Sequence, residues 1–222
     1  MPTSKSNYTP RAVCPTCQRP EKVCLCQWIQ PVANRVEVGI LQHPNEVAQI
    51  KGTAKIAELS LQNCRVWVGE DFTDEATLHS WLASGEVFLL YPEIEALKQV
   101  SGVSSDFLGD LSYQVEAVRA GYSIEKIKLL ILDGTWRKTH KMMMQNSFLH
   151  GLKRLQLNPQ TPSAYKIRKQ RDAGSLSTVE AIYLALSQLE LSEPEAGKFE
   201  PLLEAFEKMV AQQLAFRSKP SV

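Results

Sequence analysis

Branched apolar residues recur in short runs along this chain, and stretches of helical character separate the runs. Arg35–Gln42 (RVEVGILQ), Cys64–Gly69 (CRVWVG), Glu86–Tyr91 (EVFLLY) and Ile127–Leu132 (IKLLIL) have the length and branching of strands, and Lys153–Asn158 (KRLQLN) alternates as a fifth strand would. Pro44, Pro92 and Pro159 close three of them. Thr53–Gln62 reads as a helix capped by Thr53, and Asp74–Ala83 as a short helix begun after Thr73. Trp136–His150 has an imperfect helical period, whereas Thr178–Leu189 and Glu195–Phe216 are long and clear. Residues 93–125 are broken by Gly and Ser, and Tyr113–Ala120 is their best helical segment. Near-continuous apolar strands that alternate with helices need cover on both faces. That requirement predicts an α/β fold around a largely parallel sheet. With 222 residues, 44% of them hydrophobic, the chain can build one such core.

In open α/β sheets, ligands bind outside the carboxyl ends of the strands. Two such ends carry chemistry here: Leu90-Tyr91-Pro92, and Leu132 followed by Asp133-Gly134-Thr135-Trp136. Asp133 reads either as a turn residue beside Gly134 or as a working carboxylate, Trp136 either as a core anchor or as a stacking surface, and Thr135 as a helix cap.

Four cysteines, Cys14, Cys17, Cys24 and Cys26, fall within thirteen residues in a C-x2-C…C-x-C pattern, which suits a tetrahedral structural zinc. Cys64 lies inside a strand and reads as core. The N-terminus has no hydrophobic region of signal-peptide type, and no apolar run approaches the ~20 residues of a membrane span. A cytoplasmic location is therefore the expectation, and reduced cysteines there point to metal and not to disulfides. Charge is balanced, with Lys+Arg 25 against Asp+Glu 24, but unevenly placed. From Asp133 to Arg171 there are nine Lys/Arg and a single acid, Asp133 itself, so a neutral chain can present a basic face to a polyanion. Arg137, Lys138, Lys141, Arg168, Lys169 and Arg171 are its candidate phosphate contacts.

Neither G-x-G-x-x-G after a strand nor G-x-x-x-x-G-K-[ST] is present, which disfavours dinucleotide and P-loop enzymes. H-E-x-x-H and a nucleophile elbow are missing as well. Ser177 and Glu180 match a capping box at the start of the long helix. A helix start led by Gly174 also offers donors to a carboxylate, so Ser175, Leu176, Ser177 and Thr178 are candidate ligand contacts.

Six blocks in register give the sequence a resemblance. They are the cysteine cluster with Arg19-Pro20 inside it; His43-Pro44-Asn45-Glu46 with Thr53-Ala54; Tyr91-Pro92; Asp133-Gly134-Thr135-Trp136 with Lys141-Met142; Tyr165-Lys166-Ile167-Arg168-Lys169; and Leu176-Ser177-Thr178-Val179-Glu180-Ala181. From Cys14 to Glu180 the chain resembles the DTW-domain family of tRNA-uridine aminocarboxypropyltransferases. One departure stands out: after Arg168-Lys169 the family pattern has a proline-containing turn, and this chain reads Gln170-Arg171-Asp172-Ala173.

The resemblance implies a SPOUT-like fold with a C-terminal trefoil knot, a four-cysteine zinc-binding segment over residues 1–30 and a catalytic domain over 31–222. It implies S-adenosylmethionine as donor, held by Leu90, Tyr91, Pro92, Leu132, Gly134 and Ser175 to Thr178. Asp133, Thr135 and Trp136 would work on the reacting groups. The reaction implied is transfer of the 3-amino-3-carboxypropyl group to a uridine ring nitrogen of tRNA, in the variable loop, with methylthioadenosine released. No protein partner is predicted, and the chain is expected as monomer or homodimer. A methyltransferase of the same superfamily and a non-catalytic zinc-containing RNA-binding module are the rival readings.

Overall fold

The computed structural model describes residues 12–91, 112–157, 176–190 and 197–217. Of the residues singled out above, Pro92, Tyr165, Lys166, Ile167, Arg168, Lys169, Gln170, Arg171, Asp172, Ala173, Gly174 and Ser175 lie outside these, as do residues 93–111, Asn158, Pro159 and the first residues of the helix expected from Glu195.

Six strands form one sheet: β1 (Glu37–Gln42), β2 (Cys64–Val68), β3 (Glu86–Leu90), β4 (Ser112–Gln114), β5 (Ile127–Asp133) and β6 (Lys153–Gln156). Their order is β2-β1-β5-β3-β6-β4, and every pairing is parallel. Among the described residues seven helices accompany them: α1 (Pro44–Val47), α2 (Ala54–Ser60), α3 (Ala76–Ala83), α4 (Val115–Gly121), α5 (Trp136–Gln145), α6 (Thr178–Glu190) and α7 (Glu200–Arg217). None of these is long and apolar enough to cross a membrane.

Side-chain alternation divides the core between the two sheet faces. Val38 and Ile40 of β1, Phe88 of β3 and Leu129 and Ile131 of β5 pack with α2, α4, α6 and α7. Leu41, Leu89, Leu130 and Leu132 point the other way, against Leu78 and Trp81 of α3 and Met142 and Met143 of α5. All seven residues of β5 are buried, as expected of a central parallel strand. Burial extends to Lys128, whose ammonium donates to Trp81 O at 2.8 Å and sits 3.3 Å from Glu37 Oε2 and 4.7 Å from the centre of the Trp81 ring system.

The indole of Trp81 lies directly against β1. A Cβ added to Gly39 would stand 2.7 Å from Trp81 Cη2, too close for a buried ring to tolerate unmoved. Gly39→Ala should lower stability by about 1–3 kcal/mol. The measurement is urea unfolding, where the midpoint should fall at unchanged slope. An unshifted midpoint would show that the ring moves aside freely.

Three sequence expectations change. The segment Tyr113–Ala120 is not one helix: Ser112–Gln114 pairs with β6 as an edge strand, and α4 follows it. The helix expected over Trp136–His150 stops at Gln145. Fully buried Asn146 ends it by donating to Met142 O at 2.7 Å and Glu70 O at 2.8 Å and accepting from Phe72 N at 2.7 Å. Thr53 precedes α2 but does not cap it with its side chain. Its hydroxyl instead accepts from Val179 N of α6 at 3.3 Å.

The cysteine segment is built into the same core. Cys17 and Leu25 are buried among the residues packed on α7, and the turns Glu21–Val23 and Cys26–Trp28 lie against that helix. The buried guanidinium of Arg19 locks the arrangement, donating to Gly52 O and approaching Met209 Sδ at 3.1 Å.

Candidate functional site

β1 and β5 are neighbours, yet the chain leaving them diverges. From β1 it runs through α2 on one face to β2; from β5 it runs through α5 on the other face to β6. Two adjacent parallel strands whose exits part in this way open a crevice at their carboxyl ends. Asp133 occupies that point.

Asp133 is the last residue of β5 and only 6% exposed. Its Oδ2 accepts from Gln42 Nε2 at 2.8 Å, its Oδ1 accepts from the Thr178 hydroxyl, and its carbonyl accepts from His43 N at 3.0 Å. One carboxylate therefore ties the ends of β1 and β5 to the start of α6. A carboxylate has about four lone-pair sites, so two neutral donors leave it able to accept another proton.

Gly134 turns the chain into α5 at close quarters, since an added Cβ would lie 3.2 Å from Lys138 Cβ and 3.3 Å from Thr139 Cγ2. Thr135 stands at the N-cap position of α5 with no side-chain capping bond and is exposed. Trp136, the first residue of α5, is 49% exposed, so it is not a core anchor. Its ring meets buried Tyr91 edge-on, centroids 6.1 Å apart at 74°. Behind Tyr91 lies Arg154 of β6, 3% exposed, its guanidinium carbon 5.9 Å from the Tyr91 ring centre. Among the described residues neither terminal nitrogen of Arg154 has a hydrogen-bond partner.

Leu90 is half-buried and Leu132 is buried on the α5 face. Leu176, Ser177 and Thr178 are half-buried at the start of α6. Ser177 N donates to Glu180 Oε2 at 2.7 Å, which is the glutamate half of the capping box; the Ser177 hydroxyl donates to the same oxygen.

Acids oppose two of the candidate phosphate contacts. Lys138 pairs with Glu46 at 2.6 Å, and Lys141 pairs with Glu70. Arg137 is exposed. Lys141 and, beyond it, His43 hold the Glu70 carboxyl below its usual range. His43 is buried; its Nδ1 accepts from Asn45 N at 3.1 Å, which leaves Nε2 as the protonated nitrogen facing Glu70 Oε1 at 2.7 Å. His43 thus has a structural place as the cap of α1.

The four cysteine sulfurs lie within 4.8 Å of one another, with Cys14–Cys26 and Cys17–Cys24 at 3.7 Å. Tetrahedral zinc with bonds of about 2.3 Å places its thiolates about 3.8 Å apart, so the set fits that ion. Backbone N–H groups of Cys17 and Thr16 lower the Cys14 thiol to about 6, whereas burial beside other thiols raises Cys26 to about 12. Cys64 stands outside the cluster, its thiol pushed up to about 12 by burial.

Sequence reasoning missed Gln42, Glu70 and Arg154, and misassigned the partner of Thr53. Only Arg154 left a local signal, a cation inside a strand.

The DTW domain matches residues 11–214 of the chain. Three relatives carry the name tRNA-uridine aminocarboxypropyltransferase 2. Those of Macaca fascicularis and Mus musculus are each 29% identical, over 81% of this chain and 57% of their own length. That of Drosophila melanogaster is 31% identical, over 83% of this chain and 69% of its own. The chain thus spans little more than half the length of the mammalian relatives. No solved structure matches it. With its signature aspartate at the strand-end crevice and its family match running nearly end to end, the chain belongs to the DTW domain family.

Proposed function

We propose that this protein transfers the 3-amino-3-carboxypropyl group of S-adenosylmethionine to a uridine ring nitrogen of tRNA, in the variable loop, releasing methylthioadenosine. The observation that carries the reading is Asp133, a buried carboxylate with spare lone pairs at the crevice between β1 and β5, near an exposed tryptophan, in a chain whose relatives are named tRNA-uridine aminocarboxypropyltransferase 2.

The sulfonium supplies an activated leaving group, so the protein's task is placement. The uridine nitrogen forms a bond to the γ-carbon of the methionine arm, the carbon–sulfur bond breaks, and its electron pair stays on sulfur. The imide proton must leave, and Asp133 accepts it as general base. Thr135 and Trp136 form the exposed lip of the crevice, where the indole offers a stacking face to a base, worth roughly 1–3 kcal/mol. Leu90, Tyr91, Pro92, Leu132, Gly134 and Ser175 to Thr178 line the donor site.

Arg137, Lys138, Lys141, Arg168, Lys169 and Arg171 contact tRNA phosphates, Lys138 and Lys141 by exchanging Glu46 and Glu70 for phosphate oxygens. Cys14, Cys17, Cys24 and Cys26 hold a structural zinc, which supplies folding energy and no step of the reaction. The proposal includes a SPOUT-like fold with a C-terminal trefoil knot, and a division into a four-cysteine segment, residues 1–30, and a catalytic domain, residues 31–222.

The test is to incubate the protein with donor and total tRNA and identify the small product. Methylthioadenosine, together with a uridine heavier by the mass of the transferred arm, is the expected result. S-adenosylhomocysteine would overturn it in favour of methylation, and neither product would leave a binding module.

A further inference from the structure

Arg154 is a buried charged group, on β6 two strands across the sheet from β5, that the mechanism does not use. It sits opposite Leu89 of β3 and Ser112 of β4, and its side chain is buried. A guanidinium carries five N–H donors, and burying one whose terminal nitrogens have no partner among the described residues is a costly arrangement that calls for an anionic partner. Burial also draws the guanidinium below its usual pKa, in keeping with a charge that lacks its counter-ion.

We propose that Arg154 grips the carboxylate of the 3-amino-3-carboxypropyl arm, an assignment that rests on the function proposed above. Arginine holds a carboxylate through two parallel N–H···O bonds, which fixes orientation as well as position. At 3% exposure Arg154 is closed to the phosphates of a folded RNA, which demand an open surface. The start of α6 is the other carboxylate-binding place the sequence suggests, but three of its donors are already engaged: Ser177 N–H and hydroxyl by Glu180, and Val179 N–H by Thr53. The Tyr91 ring connects Arg154 with Trp136 at the lip of the crevice. With the carboxylate fixed below and the base above, the arm, and not the methyl group, lies between them.

Calorimetric titration tests this with S-adenosylmethionine, its decarboxylated form and methylthioadenosine, which lacks the arm. The wild-type protein should bind the decarboxylated form about tenfold or more weakly than the intact donor, the loss of one charged pair. Arg154→Met, which keeps the volume and removes the charge, should bind the intact donor about tenfold or more weakly and methylthioadenosine within about twofold of wild type. Arg154→Lys should fall between. Equal wild-type affinity for the intact and decarboxylated donors overturns the assignment without any variant. So does an Arg154→Met protein that keeps donor affinity, or that loses affinity for tRNA alone. If wild type binds none of the three small molecules, the proposed function itself fails.

Discussion

Asp133→Asn should lower the rate of arm transfer by about 10²–10⁴-fold, the range a placed general base supplies, while affinity for methylthioadenosine stays within a few-fold. The substitution is close to isosteric and removes the charge and the proton-accepting oxygen. Its structural cost is small, because the two partners can adapt. The Gln42 amide can turn to present its oxygen to the new Asn nitrogen, and the Thr178 hydroxyl can donate or accept. Asp133→Ala is harsher: it strands a buried Gln42 amide, costing about 1–3 kcal/mol of stability in addition to the rate. Thr178→Val separates chemistry from architecture. It removes one tie to the α6 start and leaves the carboxylate, so it should cost far less rate than Asp133→Asn. The measurement is single-turnover transfer at saturating donor, beside urea unfolding. Near-normal turnover by Asp133→Asn would take the aspartate out of the chemistry and leave it as the clasp between β1, β5 and α6.

That clasp also shows how far one sequence can be read. The strand runs, their parallel pairing and the strand-end position of Asp133 follow from local pattern, because branched apolar runs and a following Gly report on their own backbone. The partners of Asp133 do not. Gln42 is 91 residues away and Thr178 is 45, and only the order β2-β1-β5-β3-β6-β4 brings them together. The same holds for Thr53, 126 residues from the Val179 N–H it accepts; a threonine before a helix reads as that helix's cap, and tertiary structure reassigned it. β4 escaped because three residues, Ser-Tyr-Gln, at a sheet edge carry no apolar alternation. Arg154 escaped for the opposite reason. KRLQLN reads as one wet face and one dry, yet Arg154 and Leu155, which point to opposite faces of the sheet, are both buried. Cation density marked Lys138 and Lys141, but could not reveal Glu46 and Glu70 opposite them.

Removing the metal that Cys14, Cys17, Cys24 and Cys26 are arranged to hold should destabilise the whole protein and not only its first thirty residues. Structural zinc contributes roughly 10–16 kcal/mol to small zinc modules, comparable with or larger than the ~5–15 kcal/mol that separates a typical folded domain from its unfolded chain. Here a bound metal would be coupled to the main core. Cys17 and Leu25 are buried with α7, and Arg19 reaches from inside the cluster to Gly52 O and Met209. Loosening the cysteine cluster should therefore uncover α7 and free a buried guanidinium. The purified protein should contain one zinc per chain, and Cys17→Ser or Cys24→Ser should abolish it. Several kcal/mol of lost stability corresponds to a melting temperature lower by about 10 °C or more in a chain of this size, and a strong chelator should have the same effect on wild type. Cys64→Ser is the control, since that thiol lies outside the cluster and should leave zinc content unchanged. A metal-free wild-type protein that melts at the same temperature with and without chelator would mean that the four thiols hold the segment by packing alone. The 3.7 Å sulfur separations argue against that outcome, because four free thiols gain little from sharing one point, and four thiolates tolerate it only around a cation.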